Sequence, residues 1–124
     1  MTAATMTDRS AVDSHLPLTA VAFEILLTLA DDDAHGYHIM QEVERRTGGV
    51  IVIHPGTLYR ALARLLDEQI IDEVGGEAAG AHALARRNYR LTRLGRAVLE
   101  AEAARLEQQV REARARRLLR KQER

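Results

Sequence analysis

Residues 55–74 read PGTLYRALARLLDEQIIDEV, a helical pattern followed directly by a strand pattern. Pro55 suits the first helical position, because its φ is fixed near the helical value and its missing N–H has no partner there. Apolar residues then recur at three- and four-residue steps and would share one helix face: Leu58, Ala61, Leu62 and Leu65. The segment 70–74 is rich in β-branched residues and ends at two glycines, which predicts a strand.

Two helical patterns precede this helix–strand unit. Pro17 opens the first, whose apolar positions recur through residues 18–29 and whose end is marked by three aspartates. The second runs from about residue 37 to residue 46 and ends at a Gly-Gly pair. Residues 50–53 read VIVI, so they could form a minimal strand before the third helix.

One strand and one long helix follow the unit. The pattern at residues 88–91 predicts a second strand that forms a hairpin with the strand at residues 70–74. Thr92 follows it and suits the N-cap of the last helix. A last helix is predicted over residues 93–119, and at 1.5 Å per residue it spans roughly 40 Å, more than a small domain needs. It is therefore a candidate dimerisation arm, with a coiled-coil seam at 4-3-4-3 spacing: Leu99, Ala103, Leu106, Val110 and Ala113. Phe23 and Leu27 of the first helix join the predicted dimer contacts.

Three helices, a hairpin and a long helix follow one another in the layout of a winged helix-turn-helix domain, whose third helix enters the DNA major groove. The predicted fold is therefore mainly α with a small β-hairpin. Its predicted parts are a disordered tail at 1–15, the winged helix-turn-helix domain at 16–91, the C-terminal dimerisation helix at 92–120 and a basic tail at 121–124.

The charges are balanced overall but unevenly distributed. The 124 residues carry 18 basic and 18 acidic side chains, for a formal net charge of zero. Residues 65–85 contain five acids and no base, whereas residues 86–99 contain five arginines and no acid. A polyanion meets the local field, so a balanced total is compatible with a nucleic-acid partner. The zero net charge also leaves open an alternative, a winged-helix module that binds proteins and has lost DNA binding.

Several classes of protein are excluded by what the sequence lacks. It has no cysteine, which rules out disulfide scaffolds and thiolate chemistry. It has neither an apolar run long enough for a membrane span nor a secretory signal, so a cytoplasmic, nucleoid-associated protein is expected. It shows no nucleophile–base arrangement, glycine-rich phosphate loop or metal-ligand spacing, so we predict no enzyme activity, no cofactor and no metal.

Four sequence elements stand in a fixed order along residues 36–96. They are Gly36-Tyr37-His38-Ile39, Gly56-Thr57-Leu58-Tyr59-Arg60-Ala61-Leu62-Ala63-Arg64-Leu65, Ile70-Ile71, and Arg86-Arg87-Asn88-Tyr89-Arg90-Leu91-Thr92-Arg93-Leu94-Gly95-Arg96. Together they resemble the PadR family of bacterial transcriptional regulators, in its short form with a single C-terminal helix. The resemblance extends over about residues 18–106 and implies a homodimeric DNA-binding regulator, usually a repressor, with a wing after the third helix.

This chain departs from the family pattern in two respects. Its wing tip is long and acidic or neutral where many relatives carry more bases. It also lacks the tryptophan with which some relatives stack flat drugs.

Ten residues are candidate DNA contacts: Tyr37, His54, Gly56, Thr57, Tyr59, Arg60, Arg64, Arg86, Arg87 and Arg90. The first turn of the third helix, with Thr57 and Tyr59, offers free N–H groups to a phosphate. Arg60 and Arg64 lie one turn apart away from the core, and arginine bidentate to guanine is the commonest specific base contact. The three arginines at the base of the wing would contact phosphates.

Structural roles compete with these functional ones. Tyr59 could pack beside Leu66, and Tyr37 could cover the core. Arg64 could pair with Glu68 one turn further along the helix. The wing-base arginines could pair across the hairpin with two acids of the opposite strand, Asp72 and Glu73.

The function that these patterns predict is that of a homodimeric repressor that reads a pseudo-palindromic operator. Its partners would be double-stranded DNA and a second copy of the chain. A further hypothesis is a small hydrophobic or aromatic effector that releases the DNA. Its site would lie between the first helix and the partner's last helix, lined by Phe23 and residues 25–27.

Overall fold

A computed structural model of the protein describes residues 9–75 and 86–120. Its main helices and strands are α1 (Ala20–Leu29), β1 (Ala34–His35), α2 (Gly36–Arg46), α3 (Pro55–Asp67), β2 (Ile71–Val74), β3 (Asn88–Leu91) and α4 (Arg93–Ala115). The predicted fold class is confirmed, since three helices, a hairpin and a long C-terminal helix follow in that order.

The sheet is antiparallel and has the strand order β1-β3-β2. In the predicted hairpin, Ile71 lies opposite Leu91. Strand β1 was not predicted; it adds a third strand by pairing Ala34 with Tyr89. Two residues are too few to show an alternating pattern, so this strand is visible only once the chain has folded.

Residues 50–53 form no strand in the part of the chain that the structure describes, contrary to the sequence pattern. Strand β1 already occupies the edge of β3 that lies away from β2, so the hairpin offers this segment no edge there. Ile53 turns into the core, whereas Val50 and Val52 remain exposed. Strand propensity expresses how well a residue fits a half-buried sheet, and this segment pairs with no strand of the described sheet.

Helix α1 begins later than the sequence pattern predicts. The Thr19 hydroxyl accepts a hydrogen bond from the Ala22 N–H at 3.0 Å, so Thr19 is the N-cap and Pro17 lies before the helix. Threonine suits this position because its oxygen satisfies a backbone N–H that has no partner within the helix.

The segment before α1 corrects the prediction of a disordered tail over residues 1–15. Residues 9–13 are helical, and Val12 and Leu16 pack against the core. Burial of these two apolar side chains gives the segment a fixed place despite its polar composition. Residues 1–8 lie outside the described residues.

A buried carboxylate ties this segment to α4. Glu102 is 2% exposed, and it accepts hydrogen bonds from the Arg105 guanidinium at 2.8 Å and from the Leu18 N–H. The hydrogen bond from Arg105 is the main cause that lowers the pKa of Glu102, against the opposing effect of burial. Because a buried charge needs such partners, the two donors allow the ionised carboxylate to form part of the fold.

The core lies between the helices and the inner face of the sheet. Its members that are fully shielded from solvent come from every helix and from the hairpin: Ile25, Leu26, Ile39, Val43, Leu58, Leu62, Tyr89 and Val98. Burial raises the pKa of Tyr89 to about 12. Leu99, at 6% exposure, also belongs to this core, which corrects its assignment to a dimer seam.

The start of α4 packs closely against the chain entering β2. The Thr92 hydroxyl accepts a hydrogen bond from the Gly95 N–H at 2.9 Å, which confirms the predicted N-cap, and donates to the Gln69 carbonyl at 2.6 Å. A Cβ atom on Gly95 would lie 2.0 Å from the Ile70 carbonyl oxygen. The wing and α4 can therefore meet in this arrangement only with glycine at position 95.

Helix α4 is shorter than predicted and ends at Ala115 rather than at residue 119. Arg117 takes a left-handed φ of 60°, and the Leu118 N–H donates back to the Ala113 carbonyl at 2.9 Å. This Schellman-type arrangement satisfies carbonyls at the end of the helix and stops it. The predicted basic tail at 121–124 lies outside the described residues.

Candidate nucleic-acid interface

Helix α3 carries one buried and one exposed face, as the spacing of its leucines predicts. Leu58, Leu62 and Leu65 enter the core. The exposed residues of the helix are Pro55, Gly56, Arg60, Ala63, Arg64 and Asp67. The pattern of three- and four-residue steps thus places both arginines of α3 on the surface.

The N-terminus of α3 presents backbone N–H groups to solvent. His54 is the N-cap residue, and its carbonyl accepts the first helical hydrogen bond from the Leu58 N–H at 2.9 Å. Among the described residues, the exposed His54 side chain makes no capping hydrogen bond. The N–H groups of Gly56 and Thr57 are therefore not satisfied by a cap, and the helix dipole adds positive potential at this end. Such a terminus suits a phosphate.

Arg60 lies over this same turn. Its Nη2 is 3.4 Å from the Thr57 hydroxyl oxygen, and its Nη1 would be 3.6 Å from a Cβ on Gly56. A hydrogen bond of 3.4 Å is weak, so the guanidinium is held loosely at the exposed N-terminal turn. The positive end of the helix and an exposed arginine thus converge on one place.

Arg64 adopts the structural alternative that the sequence allowed. Its Nε lies 3.1 Å from Glu68 Oε2, while Glu68 Oε1 lies 3.5 Å from His15 Nδ1. The Arg64 side chain is 76% exposed, and an exposed helical ion pair of this kind contributes only about 0.3–0.5 kcal/mol. A phosphate or base could therefore replace Glu68 as its partner at little cost.

At the base of the wing, one arginine forms the ion pair across the hairpin that the sequence allowed as an alternative to DNA contact. Arg87 Nη1 lies 2.9 Å from Glu73 Oε1, so this arginine pairs across the hairpin. Arg90 is exposed and stands opposite Asp72 in the strand register. Arg86 is exposed as well. Residues 76–85, which include the wing tip, lie outside the described residues.

The two candidate tyrosines differ in burial. Tyr37, at the start of α2, is 39% exposed and could reach a phosphate. Tyr59 and Leu66 are both half-buried and pack against the core, which supports the structural role for Tyr59.

Sequence reasoning missed the residue that caps α2. His35 is the N-cap, and its Nδ1 accepts a hydrogen bond from the His38 N–H at 3.1 Å. Histidine is not among the preferred N-cap residues, so the composition carried no signal for this role. The described residues contain no group of three or more histidines or carboxylates that could hold a metal ion.

The predicted dimer contacts fall into two groups. Leu99 is buried in the core of its own chain, as described above. The other members of the predicted seam retain surface: Ala103 and Val110 are exposed, and Leu106 and Ala113 are half-buried. Phe23 and Leu27 are half-buried as well.

The predicted effector site needs a correction. Ile25 and Leu26 are completely buried within the chain's own core, so they cannot line a cavity shared with a partner. The sequence pattern predicted that they could line the effector site because α1 is apolar on more than one face. Periodicity alone does not show which of these faces the core covers. Within the described ranges, no helix is both long enough and apolar enough for a membrane span.

The sequence matches one family over most of its length. The profile of the transcriptional regulator PadR-like family matches residues 25–101. The curated protein Transcriptional regulator Rv3488 of Mycobacterium tuberculosis is 39% identical over 97 residues, which cover 75% of this chain and 81% of that protein.

Solved structures share the fold. A transcriptional regulator from Clostridium thermocellum is similar with a TM-score of 0.64 at 28% identity, over 77% of this chain and 87% of that one. Bacillus subtilis PadR in complex with operator DNA is similar with a TM-score of 0.57 at 24% identity, over 68% of this chain and 47% of that one. With its fold, its exposed α3 face and these matches together, the chain belongs to the PadR-like family of transcriptional regulators.

Proposed function

We propose that this protein is a homodimeric, sequence-specific repressor that binds a pseudo-palindromic operator. The observation that carries the proposal is the N-terminal turn of α3, where uncapped N–H groups and the loosely held Arg60 meet on an exposed face. The fold supports it, because the Bacillus subtilis PadR of the same fold was solved in complex with operator DNA.

In this proposal α3 lies in the major groove and reads base edges. Arg60 points its guanidinium to the O6 and N7 atoms of a guanine, a contact worth about 1–3 kcal/mol of discrimination. The N–H groups of Gly56 and Thr57 hold a neighbouring phosphate and set the register of the helix on the duplex.

The wing base supplies contacts to the DNA backbone. Arg86 and Arg90 are exposed on the hairpin that follows α3, and Arg87 lies between them, bonded to Glu73. Phosphate contacts of this kind strengthen binding to every sequence and make it depend on salt. In the winged helix-turn-helix layout, the wing contacts the DNA backbone next to the helix that lies in the major groove.

Dimerisation in the proposal uses the face of α4 that its own chain leaves uncovered, with Leu106 and Val110 at its centre. Two-fold symmetry would place the two reading helices in successive major grooves, roughly 34 Å apart. A small-molecule effector that releases the operator completes the proposal.

The test is fluorescence anisotropy with a labelled duplex from upstream of the protein's own gene, beside a scrambled duplex of equal length, at two salt concentrations. Tighter binding to the native duplex that persists at the higher salt is the expected result, since base contacts depend on salt less than phosphate contacts do. Equal binding to both duplexes that disappears with salt would contradict sequence-specific reading at this site. No binding at either salt would favour the protein-interaction module, with which the ion pairs of Arg64 and Arg87 are compatible.

Glu68→Gln is expected to tighten binding to any duplex by a few fold. The substitution removes the carboxylate that neutralises Arg64, so the arginine can contact a phosphate instead. One added phosphate contact should steepen the logarithmic salt dependence by roughly 0.9. Titrations at four salt concentrations would measure it, and an unchanged slope would show that removing the Glu68 carboxylate gives Arg64 no additional phosphate contact.

Leu106→Asp is expected to dissociate the dimer. The substitution places a carboxylate in the apolar face proposed for α4, and burying an unpaired charge costs several kcal/mol. Because Leu106 is only half-buried in its own chain, the monomer should still fold. Sedimentation velocity measures the change, with Glu107→Asp as a charge-neutral control on the same helix. A Leu106→Asp variant that remains dimeric would refute this interface.

A further inference from the structure

A groove of about 840 Å³ lies between α3 and the segment that enters α1. Leu16, Pro17 and Val21 contribute one wall, and Ala61 and Leu65 of α3 contribute the other. This volume falls within the usual range of small-molecule sites, which are mostly apolar and carry a few polar groups that orient the ligand. The groove therefore has the size and the wall chemistry for an apolar or aromatic ring system.

Polar side chains line both sides of this groove. Ser14, His15 and Thr19 belong to the segment before α1, and Thr57, Arg60, Arg64 and Glu68 belong to α3 and its C-cap. Glu68 already neutralises Arg64 at 3.1 Å, whereas the Arg60 guanidinium has the long 3.4 Å contact with the Thr57 hydroxyl. Arg60 and Thr57 together present several donors at the N-terminal end of the groove's α3 wall. That end is complementary to an acidic group, because a carboxylate or sulfonate accepts two hydrogen bonds from a guanidinium.

We propose that the groove binds a small amphipathic anion, with its apolar body between Val21 and Ala61 and its acidic group on Arg60 and Thr57. The bound anion then competes with DNA directly, since both need the same donors. This inference rests on the proposed function, in which Arg60 and Thr57 contact the operator.

Direct competition requires no change of conformation. A ligand that binds only the DNA-free protein shifts the equilibrium by mass action, in proportion to its concentration over its Kd. The site also differs from the effector position expected from the sequence, which lies between the first helix and the partner's last helix. The groove instead brings the ligand to the helix that reads DNA.

Two fluorescent probes test the chemistry of the site. Anilinonaphthalene sulfonate carries aromatic rings and one sulfonate, and phenylnaphthylamine has the same rings without the charge. Both are expected to bind with increased emission. Arg60→Gln should raise the Kd of the sulfonate probe roughly tenfold, because it removes a charge-assisted hydrogen bond. The Kd of the neutral probe should stay within about twofold of its value for the parent protein. Equal effects on the two probes, or none on either, would overturn the assignment of Arg60.

A matched pair of substitutions tests the location. Val21 lies in the groove wall, whereas Val50 is 85% exposed in the loop before α3 and outside the groove. Val21→Asp should weaken binding of the sulfonate probe roughly tenfold or more, because the new carboxylate repels the sulfonate and the apolar wall is lost. Val50→Asp should leave binding of this probe unchanged. Circular dichroism establishes that both variants are folded, and the neutral Val21→Ser replaces Val21→Asp if that variant is not. Equal probe binding by the wall variant and Val50→Asp would place the probe elsewhere and overturn the inference.

The last step measures competition with DNA. Anilinonaphthalene sulfonate should raise the apparent Kd for the native duplex in proportion to its own concentration, and the duplex should displace the probe. If the duplex binds equally well with and without bound probe, the inference fails while the proposed function stands. If the probe binds in the groove but no duplex binds at all, the proposed function fails and competition with DNA fails with it.

Discussion

Gly95→Ala is expected to destabilise the protein by about 3 kcal/mol, because overpacking against rigid backbone costs this much. The new Cβ would lie 2.0 Å from the Ile70 carbonyl oxygen and 3.0 Å from the Ile70 carbonyl carbon. The obstacle is backbone at the start of the wing, so it cannot rotate away as a side chain would. Thermal unfolding followed by circular dichroism should show a melting temperature lower by roughly 10–20 °C.

Gly56→Ala is the matched control for that measurement. Gly56 also lies in a helix, but a Cβ there would meet only the flexible end of Arg60, at an ordinary 3.6 Å. Alanine favours the helix over glycine, so this variant should be unchanged or more stable by up to about 1 kcal/mol. If both variants unfold at the temperature of the parent protein, the Ile70 backbone yields easily, and the close contact does not set the position of α4 against the wing.

Arg60→Ala is expected to weaken binding to the native operator by about 1–3 kcal/mol, which corresponds to roughly 5- to 150-fold in Kd. The reason is the loss of the two hydrogen bonds that we propose Arg60 donates to one guanine. Binding to a scrambled duplex should fall much less, because it depends on phosphate contacts. The specificity ratio, measured by anisotropy on both duplexes, is therefore the decisive quantity.

Arg111→Ala provides the control for charge. Arg111 lies on α4 and pairs with Glu107 at 3.4 Å, so its loss changes the net charge by the same amount but leaves α3 intact. Both duplexes should bind this variant as they bind the parent protein. An Arg60→Ala variant that weakens both duplexes equally would show that Arg60 contacts a phosphate and reads no base.

Local patterns predicted the helices and the hairpin well. Pro55 begins α3 and Thr92 caps α4, because both signals act through the residue's own backbone geometry or its nearest N–H groups. Periodicity also separated the buried leucines of α3 from its exposed arginines. The family resemblance, carried by four elements in order, is confirmed over residues 25–101.

The sequence did not decide the role of residues for which two roles were open. Arg64 and Arg87 each had a DNA role and an ion-pair role open to them, and the distances to Glu68 and Glu73 show that both pairs form in the free protein. Leu99 fits a coiled-coil seam by spacing, yet the core of its own chain buries it. Spacing states which face a residue occupies, whereas burial depends on which element covers that face.

Sequence patterns alone therefore establish a winged helix-turn-helix domain with a long last helix and place its arginines on the outside of α3, since each of these features depends on residues a few positions apart. Tertiary contacts determine the rest. Strand β1, the ordered segment at residues 9–18, the close approach at Gly95 and the groove beside Arg60 all join parts that are distant in the chain. Their formation depends on competition for sheet edges, core space and charge partners, which becomes defined only when the whole domain packs.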